Sequence, residues 1–126
     1  QGDRLYLFES ENLVDWNYLN EFYNSNREWT SKTEDNMCPS FLPLPSKPSG
    51  GKSSSKHLLL FISHNRGCQY YVGDYKNNNF YPNNHGRMSW NDNGFFAPEA
   101  MIDGNVRQIM WAWVFDYRPK SIVNKS

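Results

Sequence analysis

Apolar and polar positions alternate along this chain with a period of two, in short runs broken by clusters of Asn, Asp, Gly and Ser. Residues 4–9 (Arg-Leu-Tyr-Leu-Phe-Glu) read as a strand, and residues 16–19 read as its antiparallel partner after a turn. Residues 21–36 are polar and irregular, the pattern of a loop. Residues 38–44 are apolar but contain Pro39 and Pro43, with Pro45 just beyond. Proline gives no N–H to a ladder, so this segment predicts a strand that is bulged or partly unpaired. Residues 46–56, built from Ser, Lys, Gly and Pro, are low in complexity and predict a flexible hairpin tip.

The strongest strand is the continuous run from His57 to His64, whose composition predicts burial on both faces. Residues 65–67 turn it, residues 69–75 return, and residues 76–79 turn again toward Phe80. Residues 95–102 form a further strand, and Asp103-Gly104-Asn105 is a hairpin signal that folds residues 106–115 back on it. No segment keeps a helical period over three turns. The chain therefore predicts an all-β protein made of successive hairpins.

One short pattern occurs twice. Met37-Cys38-Pro39-Ser40-Phe41 and Asp92-Asn93-Gly94-Phe95-Phe96-Ala97-Pro98-Glu99 both place a proline near the start of an apolar strand, and the prolines lie 59 residues apart (98 minus 39). A period of that size with about four strands per unit fits a propeller blade, and two coincidental proline-containing strands in a sandwich fit it as well.

Composition narrows the function classes. The formal charge is zero, with 13 basic and 13 acidic residues, which argues against a nucleic-acid or membrane-surface partner. Aromatic residues make up 17% of the chain, and their rings suit stacking on sugar faces. Cys38 and Cys68 are too few for a disulfide framework and lack a C-x-x-C partner, so no metal site is expected. Two small buried residues is one reading of them, and a single bridge between adjacent strands is the other. No apolar run has the length of a membrane span, and Gln1-Gly2-Asp3-Arg4 is no signal peptide. The chain reads as a piece of a longer polypeptide, with secreted and cytoplasmic settings both open.

Four segments then resemble, in order and approximate spacing, landmarks of glycoside hydrolase family 32, the invertases, levanases and inulinases. They are residues 5–16 (with Ser10-Glu11-Asn12-Leu13-Val14-Asp15-Trp16), 37–41, 92–99 and 107–113. The resemblance implies a portion of a five-bladed β-propeller spanning residues 1–126. It implies retaining hydrolysis of β-fructofuranosides such as sucrose or a fructan, with no cofactor.

Departures from the family pattern matter as much. The chain holds neither the W-x-N-D-P-N-G nucleophile motif nor the R-D-P motif, so the 126-residue piece is expected to be inactive alone. In the family's E-C-P-D motif the acid/base glutamate falls at Met37, which cannot donate a proton, and the aspartate falls at Ser40. Glu99 stands where the family commonly has glutamine, and is the candidate for a relocated acid; a structural or substrate-orienting carboxylate is the other reading. Asp92, Phe96, Trp90 and Cys38 are the candidate substrate-binding residues. Asp92 also reads as a turn former that caps its own backbone. Glu34 and Asp35 are rival acids in a loop where charged residues are ordinarily solvated. His64 reads as a satisfied surface residue, with a pocket rim as the other reading, and Trp111 and Trp113, which could stack on sugar, share one strand face and are expected in the core. The competing function is a carbohydrate-binding propeller that has lost its acid.

Overall fold

The structure, a computed structural model, describes residues 3–47, 50–64, 66–89 and 94–114. Eight strands appear among them: β1 (Tyr6–Glu9), β2 (Asn17–Glu21), β3 (Met37–Lys47), β4 (Gly50–Ser63), β5 (Gly67–Lys76), β6 (Asn79–Arg87), β7 (Phe95–Ile102) and β8 (Gln108–Val114). All pairings are antiparallel. The strands form a central four-stranded sheet, β3-β4-β5-β6, flanked by the two-stranded sheets β1-β2 and β7-β8.

The period-two pattern explains why the central sheet is covered on both sides. On one face stand Phe41, Leu59, Phe61 and Tyr71, aligned across β3, β4 and β5 by the pairs Phe41↔Leu59, Leu59↔Tyr71 and Phe61↔Gln69. Phe22, Tyr23 and Phe80 complete the core there, with Leu5, Leu7 and Trp29 packed against it. Phe22 meets Phe41 edge-on with centroids 4.9 Å apart and stacks on Phe80 at 5.8 Å. The opposite face carries Leu60, Ile62 and Cys68, all buried. It abuts β7-β8, where the Ala100 amide donates to Ser40 Oγ at 3.3 Å and the Gln108 amide donates to the Pro43 carbonyl. Residues 59–63 of the run are thus buried, on both faces of β4, as its composition predicts, while His57 and Leu58 are half-buried and His64 lies exposed just past the end of the strand.

Proline has the expected effect on β3. Its register with β4 slips between Met37 and Ser40, between Pro43 and Pro45, and again before Lys47. Residues 46–56 differ from the loop reading: β3 runs to Lys47 and β4 starts at Gly50, so strand pairing reaches far into the Ser-rich segment. The Ser54 hydroxyl, donating to the Leu44 carbonyl at 3.1 Å, is one reason this polar stretch can pair. Asn77 and Asn78, with φ of 50° and 61°, form the tight turn between β5 and β6, as two left-handed residues do in a type I′ hairpin. Strand β6 was not evident in the sequence because Pro82 interrupts it. As the last strand of its sheet it tolerates the missing donor.

The turn after β7 is longer than Asp-Gly alone predicts. The Asp103 carboxylate accepts from the Asn105 and Arg107 amides at 2.9 and 2.8 Å, which closes a wider loop. Both cysteines are free, Cys38 exposed and Cys68 buried. The buried reading therefore holds for Cys68 and is corrected for Cys38, and the two form no bridge; burial pushes the Cys68 thiol up to about 12. Trp111 and Trp113 are 51% and 67% exposed and so lie outside the core, because neither face of the two-stranded sheet is fully covered by the described residues.

Candidate functional site

The strands begin and end in a way that gathers the chemistry at one end. Residues Met37, Gly67 and Phe95 open β3, β5 and β7 there, while Ser63, Arg87 and Val114 close β4, β6 and β8. Of the described candidates, Cys38 and Phe96 are the second residues of β3 and β7 at this end, and Glu34, Asp35 and His64 lie in the connections beside them.

The twin motif strands are alike in backbone as well as in sequence. Cys38 has φ of 48° and Ala97 has φ of 46°, each directly before a proline. Each begins a bulge, between Met37 and Ser40 in β3 and between Phe96 and Glu99 in β7. Left-handed conformation is unfavourable for a residue with a side chain, so its recurrence at matching positions marks one structural device used twice. It equates Met37 with Phe96, Cys38 with Ala97 and Ser40 with Glu99. Glu99 therefore occupies the position of Ser40, three residues beyond the equivalent of Met37. It is exposed on β7, opposite Trp111 in the register. Phe96 is half-buried and Cys38 exposed. Trp90 and Asp92 lie outside the described residues.

The connection from β2 to β3 is not a solvated loop. Glu34 is buried, and Arg87 grips it with both terminal nitrogens at 2.9 and 3.1 Å. The Ser31 amide and Gln69 Nε2 donate to the same carboxylate, each at 3.1 Å. Burial pushes this carboxyl up, but the hydrogen bonds from Arg87, Ser31 and Gln69 outweigh it and hold it below the usual range. A carboxylate so fully engaged anchors the connection and is badly placed to donate a proton.

Asp35 is different. Its Oδ1 accepts the His64 amide at 2.7 Å, its Oδ2 meets His64 Nδ1, and its carbonyl accepts the Ser63 hydroxyl at 2.6 Å. Burial raises its carboxyl, but the two hydrogen bonds from His64 outweigh that and leave it below the ordinary range. Gln69 Nε2 also donates to Ser63 Oγ at 2.8 Å, and its Oε1 lies 2.9 Å from His85 Nε2. His85 stacks on Trp29, and burial and then the Arg87 charge depress its imidazole. One polar network thus runs from His85 through Gln69 to Glu34 and Asp35.

The sequence reading missed Ser63, Gln69, His85 and Arg87. Gln69 had a signal: it alternates with Gly67, Tyr71 and Gly73 on the buried side of β5, where a polar side chain needs partners. A cavity of about 310 Å³ between the β1-β2 hairpin and the central sheet is apolar and lined by Leu5, Leu7, Phe22, Pro39 and Phe41 among others.

A four-stranded antiparallel sheet stacked face to face between two further sheets, with matching bulges on successive inner strands, is the architecture of a β-propeller. The model of the glycosyl hydrolases family 32 N-terminal domain matches residues 1–125, and the chain belongs to that family. It is a portion of the five-bladed propeller expected from the resemblance. It is also similar to a levanase of Bacillus subtilis (strain 168), 26% identical over 129 aligned residues. The alignment covers 93% of this chain and 18% of the levanase, so the chain spans under a fifth of that relative's length. No solved structure matches the chain.

Proposed function

We propose that the intact protein carrying this chain hydrolyses β-fructofuranosides, a fructan or sucrose, with retention and without a cofactor. The observation that carries this reading is the family match along residues 1–125, and the similarity to a levanase favours a fructan. In a retaining hydrolase one carboxylate attacks the anomeric carbon and a second group protonates the leaving oxygen. This chain lacks the family's nucleophile motif. Its part is to line the sugar site with β3 and β7.

Within that reading Asp92 hydrogen-bonds sugar hydroxyls, Trp90 and Phe96 offer rings to the sugar face, and Cys38 borders the same site. Glu99 orients the substrate. Its equivalence to Ser40 favours this over the role of relocated acid.

The test is fructose release from sucrose and from levan by the purified intact protein. Asp92→Ala is expected to lower kcat/KM by roughly 10- to 100-fold, the worth of a hydrogen bond to a charged group. Glu99→Gln is expected to raise KM more than it lowers kcat, and a kcat loss of about a thousandfold would restore Glu99 as the acid. Fructan binding without any release would overturn the hydrolytic reading in favour of a carbohydrate-binding propeller.

A further inference from the structure

His64 lies one residue past the end of β4, just beyond the Met37↔Ile62 pair that opens the β3-β4 ladder. It is therefore next to the place where the family pattern expects its acid and this chain has a thioether. Asp35 holds it at two points, through the backbone amide at 2.7 Å and through ring Nδ1. The Asp35 backbone is fixed in turn by the Ser63 hydroxyl at 2.6 Å. A carboxylate facing Nδ1 requires that nitrogen to carry hydrogen, which leaves Nε2 as the site that gains or loses a proton. The His64 side chain is 64% exposed against 24% for Asp35, so the imidazole faces solvent while its carboxylate partner is set behind it.

Building on the fructoside reading above, we propose that His64, oriented by Asp35, is the proton-transfer group that replaces the acid missing at Met37. In the first step the bond between the anomeric carbon and the glycosidic oxygen breaks. Its electron pair goes to that oxygen, which takes the proton from Nε2, while a carboxylate oxygen bonds to the anomeric carbon. In the second step water bonds to the anomeric carbon, Nε2 takes its proton, and the carboxylate leaves. Asp35 is a positioning residue, holding the tautomer and balancing the imidazolium.

The test compares sucrose, whose leaving oxygen needs a proton, with p-nitrophenyl β-fructofuranoside, whose leaving group departs without one. With the intact protein, His64→Ala is expected to slow sucrose cleavage by about 100- to 10,000-fold. On the aryl fructoside it is expected to keep a burst of one p-nitrophenolate per site, then turn over slowly. Azide, a nucleophile that needs no deprotonation, should then speed that slow phase. Asp35→Asn should give a weaker version of the same split between substrates, and Asp35→Glu should recover part of the rate on sucrose. Unchanged thermal midpoints in these variants separate the effect from misfolding. Equal loss on both substrates with no response to azide, or no loss at all, overturns the assignment. A wild-type protein that cleaves neither substrate removes the fructoside reading itself, and the role of His64 falls with it.

Discussion

At the scale of single residues the pair Glu34–Arg87 is the most consequential contact of the connection between β2 and β3. Arg87 is the last residue of β6 and also donates to the Trp29 carbonyl at 3.0 Å, so one side chain pins two points of the connection. Replacing Arg87 leaves the Glu34 charge buried with only the Ser31 and Gln69 hydrogen bonds and no counter-charge, a costlier outcome than losing both members of the pair. Arg87→Met is expected to lower stability by about 3 kcal/mol at neutral pH, measured by urea unfolding. The pH dependence has a definite sign. The Glu34 carboxyl is depressed in the folded state, so its contribution is present above the ordinary carboxylate range and lost as pH falls through the folded value. The gap between wild type and Arg87→Met should therefore narrow on acidification below about pH 4, and a constant gap would contradict the ion-pair account.

At the scale of elements, the proline-bearing inner strands were legible in the sequence and their geometry was not. Pro39 and Pro98 announce interrupted pairing, yet neither proline specifies that the residue before it, Cys38 or Ala97, takes a positive φ. The pairing of β5 with β6 shows the same division. Nothing in the sequence says that Gly73 sits where the register slips, with an added Cβ only 2.1 Å from the Tyr81 carbonyl oxygen. The nearest atoms are all backbone of Tyr81 and Pro82, which cannot rotate aside, so Gly73→Ala is expected to cost about 2 kcal/mol or more in thermal unfolding. Gly86→Ala meets the Tyr70 ring instead, 2.4 Å from its nearest atom. A side chain can shift, so this variant should be the milder of the two, and the reverse order would refute the packing described.

At the scale of the whole molecule, the β7-β8 sheet leaves apolar side chains uncovered. Met101, Ile102, Ile109, Met110, Trp111, Trp113 and Val114 are all exposed, and successive residues among them point to opposite sides of the sheet. A patch of that size on an open sheet favours association with any matching edge or face. The 126-residue chain by itself is expected to self-associate with rising concentration in sedimentation velocity, and Trp111→Lys with Trp113→Lys to return it toward monomer. A wild-type chain that stays monomeric throughout would show that this sheet is covered in solution.

The sequence by itself determined the all-β class, most of the strands, the turns built on Asn and Asp, and the repeated motif that relates β3 to β7, because each rests on alternation, turn chemistry or a missing N–H within a few residues. Tertiary structure alone decided the chemistry of the connection before β3. Glu34 and Asp35 are adjacent carboxylates in one polar segment, yet one is buried against Arg87 and Gln69 and the other is paired with His64 near solvent. Those partners lie 53, 35 and 29 residues away along the chain, and no local pattern encodes a contact at that distance.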